Sequence, residues 1–137
     1  MDTTELLRSS RIAINWYKSN AKIATINQLL DCKTMIVTNN FALAEELAEI
    51  KSDYNICYFS RKIEFSKKKN ELMQTMSAVK AESESTVINS DILSNELEHE
   101  SAAYRLELFI KHSDNVANDI MQRISVLKKE SEPGKQY

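Results

Sequence analysis

A single glycine and a single proline stand in this sequence of 137 residues, and they stand together as Pro133-Gly134. Average usage would supply roughly 7% glycine and 5% proline. Sandwiches, barrels and βαβ units need glycine where a turn takes positive φ, and that supply is missing here. Long helices joined by few turns need none. The expected fold class is therefore all-α: an elongated, coiled-coil-like bundle of three long antiparallel helices.

The rest of the composition suits a folded chain. Hydrophobic residues make up 42% and charged residues 28%, unlike the low-hydrophobicity, high-charge signature of disorder. A formal net charge of −2 announces neither nucleic acid nor an acidic tail. Cys32 and Cys57 share no metal or redox spacing, so reduced, packed thiols are expected. No basic-then-apolar leader follows Met1. No apolar run approaches the roughly 20 residues of a membrane helix. The expectation is one helical domain over residues 1–131, a disordered tail over 132–137, a cytoplasmic location and no membrane partner.

Three helices are predicted, over about 3–37, 41–82 and 87–130. Asp2 caps the first, with Glu5 three residues on, as a capping box. Thr38-Asn39-Asn40 reads as the first turn and Glu82-Ser83-Glu84-Ser85-Thr86 as the second. In the second helix Tyr58, Phe65, Leu72 and Val79 repeat every seven residues, a bundle pattern. Tyr54 to Phe65, rich in aromatic and branched residues, also reads as a strand when taken alone. In the third helix Leu106, Phe109, Ser113, Val116, Ile120, Ile124 and Leu127 form one stripe. Lys128 and Lys129, followed by Pro133-Gly134, stop it. Folding back at the second turn is expected to bring Lys67, Lys68 and Lys69 near Glu96, Glu98 and Glu100. Each exposed pair is worth only about 0.2–1 kcal/mol, enough to bias register.

Catalytic patterns are missing. With Gly134 alone there is no P-loop, dinucleotide fingerprint or nucleophile elbow. His99 and His112 make no zinc motif, and no metal or cofactor is expected. Cys57 falls on the apolar stripe, where a packed thiol is commoner than a nucleophile. Alternate residues diverge on a helix, so Glu96, Glu98 and Glu100 form a solvated face and not a carboxylate pair. The expectation is a non-enzymatic chain, with a small enzyme using Cys57 or the histidines a distant third reading.

The features able to carry binding are local. Arg61, Lys62, Lys67, Lys68 and Lys69 lie among Tyr58, Phe59 and Phe65. Cations for phosphate and rings for bases are what single-stranded nucleic acid sites combine. The candidate nucleic-acid residues are thus Arg61, Lys62, Lys67, Lys68, Lys69, Tyr58 and Phe59. The plainer reading makes Tyr58 and Phe65 core knobs and pairs the lysines with the acidic third helix. Trp16-Tyr17 beside Lys18 and Lys22 invites the same two readings, core packing being favoured. Arg61 and Lys68 fall on the helical seam, where polar residues fix register or oligomer state, so self-association is expected.

The segment Tyr104 to Glu130, with its Gln122-Arg123-Ile124-Ser125-Val126-Leu127-Lys128-Lys129-Glu130, resembles the last helix of small, glycine-poor proteins encoded by tailed phages and prophages, some of which accompany replication and recombination genes. In size and helicity the chain is also similar to phage recombination mediators, which load a recombinase onto single-stranded DNA. The resemblance covers about a fifth of the chain and carries over no functional residue. It implies an accessory of DNA metabolism and no more; joined to the polar seam and the basic segment, the expectation is a self-associating phage or prophage accessory of DNA replication or recombination, in the host cytoplasm, that binds protein and single-stranded DNA. The alternative is a scaffold or adaptor whose partners are proteins only.

Overall fold

The computed structural model describes residues 1–131. They form four helices: α1 (Thr3–Asn20), α2 (Ile26–Leu72), α3 (Ala78–Ile88) and α4 (Ser90–Glu130). No strand occurs among the described residues, and 54–65 lies wholly within α2. Among the described residues no helix is long and apolar enough to cross a membrane. The expected stop at Pro133-Gly134 and the expected tail at 132–137 lie outside the described residues.

The three-helix division does not hold. The expected first helix, 3–37, breaks after Asn20, where Ala21 N donates to Tyr17 O and Ala24 N to Asn20 O. A second capping box then starts α2: Gln28 N donates to Thr25 Oγ1 at 3.2 Å and Thr25 N to Gln28 Oε1 at 3.0 Å. The expected turn at Thr38-Asn39-Asn40 is helix instead. Both asparagines are buried, and tertiary partners hold them: Asn39 Nδ2 donates to Ser9 Oγ and Ser10 Oγ at 3.0 Å, and Asn40 Nδ2 to Asp114 Oδ1 at 2.7 Å. The break between the expected second and third helices comes early, over 73–77 instead of 82–86, and Ser77 caps α3 by accepting from Lys80 N at 3.3 Å. Residues 82–86 are helical, because Ala81 and Ser85, four apart, are both fully buried on one face of α3.

By contacts the described chain falls into two compact units. The first takes Met1–Glu46 and the residues from Leu106 onward. Here α1, the start of α2 and the end of α4 share one apolar core. Ala13, Ile14, Tyr17, Leu29, Cys32, Ile36, Ala117, Ile120 and Ile124 are all buried in it. Ser9 and Ser10 meet Asn39, while Ala13 O accepts from Cys32 Sγ at 3.3 Å, so α1 runs antiparallel to α2. Tyr17 donates to Asp119, and Arg123 Nε to Ala21 O at 3.3 Å, so α1 runs parallel to α4. The stripe predicted for the last helix is the face that packs: Leu106, Ser113, Ile120 and Ile124 are buried, and Phe109, Val116 and Leu127 half-buried.

Tyr17 gives this unit an alkaline signature. Burial, then the hydrogen bond to Asp119, then that carboxylate's charge push its phenol from 10 up to about 12, against a smaller opposing effect of Arg123. Below pH 10 the group is protonated in both the folded and the unfolded chain. Between about 10 and 12 only the unfolded chain releases the proton, so stability falls as pH rises through that window. Ultraviolet difference titration of the five tyrosines should show a late ionisation near pH 12 that Tyr17→Phe removes. A titration curve that the substitution leaves unaltered would contradict this.

The second unit, Leu47–Arg105, takes the end of α2, all of α3 and the start of α4. Its interior is thin. Among its described residues the buried apolar side chains are Ala81 and Ala103, accompanied by polar Ser85, Asn89 and Glu96. Tyr54, Cys57, Tyr58, Phe65, Leu72 and Met76 are only half-buried. Alanines supply little of the roughly 25 cal/mol per Å² that apolar burial contributes. Ser85 Oγ and Asn89 Nδ2 are buried with no hydrogen-bond partner among the described residues.

Candidate interaction surface

Helix α2 carries every residue of the predicted nucleic-acid set. Its inward face in the second unit presents Tyr54, Cys57, Tyr58, Arg61, Phe65 and Lys68 at helical spacing, all half-buried. Arg61 is the focus. Its Nε lies 2.5 Å from Glu96 Oε2 and its Nη2 3.3 Å from Oε1, a two-pronged pair. The Glu96 side chain is 7% exposed and that of Arg61 26%. The hydrogen bond to Glu96 raises the guanidinium above its ordinary pKa against the opposing effect of burial. The ring of Tyr58 lies 5.5 Å from the Arg61 guanidinium and 5.3 Å from the Lys62 ammonium. Tyr54 approaches the same ring at 6.3 Å, and its phenol is raised by burial and by the charges of Glu100 and Glu96.

The three lysines are not gathered against Glu96, Glu98 and Glu100. Lys67 meets Glu64 at 4.0 Å and Lys68 meets Glu71 at 3.5 Å, both within α2, while Lys69 reaches Glu82 of α3 at 3.8 Å. The early break explains the change of partner. Once the chain turns at 73–77, the residues facing the lysines belong to α3, and Glu96 lies opposite Arg61. The predicted cationic set is thereby divided. Arg61 is occupied inward, Lys68 and Lys69 are half-buried beside acids, and Lys62 and Lys67 stay exposed. Tyr58 is half-buried, and Phe59, set edge-on to it at 5.4 Å, is 62% exposed.

Phe59 belongs to a second face that the sequence reading did not single out. Ile56, Phe59 and Ile63, spaced by three and four, stand 61%, 62% and 55% exposed on the side of α2 away from Arg61. On α4 Leu93, Leu97 and Tyr104 form another outward row, exposed by 38%, 54% and 62%. The signal for the α2 row was its offset from the Tyr54-Tyr58-Phe65 stripe. A strand reading of 54–65 hides that offset, because it merges both faces into one apolar run.

The other candidates separate. Trp16 packs against the core of the first unit while Tyr17 is part of it, as the packing reading expected. A groove of about 350 Å³ runs between α1 and α2, lined by Ile12, Ala13, Trp16, Gln28, Asp31, Cys32 and Met35. Burial pushes the Cys32 thiol up, away from nucleophilic chemistry. His99 is half-buried in one unit and His112 exposed in the other. Glu96 is buried while Glu98 and Glu100 are exposed, so the expected solvated face holds for the latter two and not for Glu96, which turns inward to Arg61. No group of metal-binding side chains is found among the described residues.

No protein family, curated protein or solved structure matches this chain. The reading of its function therefore rests on its own surface.

Proposed function

We propose that this chain is a non-enzymatic helical interaction protein that self-associates and works by binding other proteins. One observation carries the reading. The Leu47–Arg105 unit buries only two apolar side chains, Ala81 and Ala103, while Ile56, Phe59, Ile63, Leu93, Leu97 and Tyr104 face outward. Apolar rows left outside so thin an interior mark surfaces that a partner covers. Coiled-coil-like pairing of those rows with other helices supplies the burial that the unit lacks. Sedimentation velocity over a dilution series tests the idea: the sedimentation coefficient should rise with concentration. A chain that stays monomeric throughout, and whose thermal midpoint ignores concentration, would sink it.

A second reading, an accessory of phage DNA replication or recombination that contacts single strands, draws on exposed Phe59 beside Lys62 and Lys67. The ion pairs of Arg61, Lys68 and Lys69 oppose it, since they set a carboxylate beside three of the five cations such a site would use. Anisotropy of a labelled single-stranded oligonucleotide is expected to show no salt-sensitive binding. Affinity falling steeply across a salt series would instead establish phosphate contacts and reinstate the DNA reading.

A further inference from the structure

We propose that a second copy of this chain seats on the outward face of α2, antiparallel to it, about a two-fold axis at Ser60. The proposal deepens the self-association reading and rests on it. Ile56, Phe59 and Ile63 form an exposed apolar row with Ser60 inside it. Serine has little bulk to hold two helices apart. A two-fold axis there lays each Ile56 near the partner helix's Ile63 region and brings the two Phe59 rings together at the centre.

Charge selects the direction. Asp53 lies seven residues before Ser60 and Lys67 seven residues after it, both exposed. Seven residues is about two helical turns, so both flank the row from the same side. In the antiparallel pair each Asp53 meets the other copy's Lys67, giving two matched pairs, while exposed Glu49 and Glu71, farther from the axis on the same side, oppose each other. A parallel pair sets Asp53 against Asp53 and Lys67 against Lys67. Lys67 is available, because its contact with Glu64 is long, at 4.0 Å, and both side chains are more than half exposed, at 67% and 53%. Lys68 and Lys69 are engaged by Glu71 and Glu82. The contact is isologous, so it closes at two copies and does not propagate.

The test is sedimentation equilibrium of the full chain and of Asp53→Lys, Lys67→Asp and the double reversal, with circular dichroism confirming unchanged helicity. Each single reversal breaks two symmetry-related pairs and is expected to weaken dimerisation about ten-fold. The double reversal restores it. Ser60→Cys in a Cys57→Ser background should form an intermolecular disulfide on mild oxidation, as the axis brings the two sulfurs together. A monomeric wild-type chain overturns this interface and the self-association reading together. A dimer that neither reversal weakens, single reversals that do not rescue each other, or a Ser60→Cys variant that fails to cross-link overturns this interface alone.

Discussion

Ile120→Ala should lower stability by about 2–5 kcal/mol, the range for truncating a fully buried branched side chain in a core that relaxes incompletely. Ile120 has no exposed surface and sits with Leu29 and Ile36, which have none either, where α1, α2 and α4 meet. Those three side chains anchor the first unit. Total stability of a domain this size is commonly only about 5–15 kcal/mol, so the loss is a large share. Urea unfolding followed by circular dichroism should show a lower midpoint at unchanged slope. Ile63→Ala is the contrast, because Ile63 is 55% exposed. At protein concentrations where the chain is monomeric it should cost no more than about 0.5 kcal/mol. Equal effects of the two substitutions would mean that the core is misassigned.

Arg61→Ala is expected to be the most damaging single change in the Leu47–Arg105 unit. It strands the Glu96 carboxylate in an interior where its side chain is only 7% exposed. Removing one partner of a buried ion pair costs about 3–5 kcal/mol. The lower end applies, since the Arg61 side chain is 26% exposed and water can reach the vacated place. Replacing both partners, Arg61→Leu with Glu96→Leu, should recover most of that loss, because two apolar side chains leave no charge unpaired. The double-mutant cycle reads the coupling directly. Lys68→Leu should stay within about 0.5 kcal/mol, as Lys68 pairs with Glu71, exposed on its own helix. If Arg61→Ala were as mild as Lys68→Leu, the pair would have no part in holding the unit together.

Helix content could be read from the sequence because a single glycine and a single proline, both near the end, leave the rest of the chain without the turn residues other folds need. The start of α1 and the end of α4 were readable for a local reason. The Asp2–Glu5 capping box is present, with Glu5 N donating to Asp2 Oδ1 at 2.8 Å and Asp2 N to Glu5 Oε2 at 3.3 Å. The last described helix ends at Glu130, just after Lys128 and Lys129. The internal breaks were misplaced because polar residues serve both turns and tertiary hydrogen bonds. Asn39 and Asn40 read as a turn, yet their amides bond to residues 29–30 and 74 positions away in sequence, which no local window can see. The true break at 21–25 did carry a local sign, the Thr25-x-x-Gln28 box. It was masked by helix-forming Ala21, Lys22 and Ala24. Of the candidate site, the residues were visible and their division was not. The offset of Arg61 inward and Phe59 outward follows from two positions on one helix, but the partner Glu96 follows only from where the chain turns.

The two cysteines acquire a use from their placement. Cys32 is buried in the first unit, its thiol donating to Ala13 O, and Cys57 lies half-buried in the second. Each unit thus contains one native thiol that an alkylating reagent reaches more readily when the helices around it part. Timed alkylation followed by peptide mass spectrometry would therefore clock the opening of each half of the molecule in the same tube. The unequal interiors set the order: the sulfur at 57 should be consumed well ahead of the one at 32.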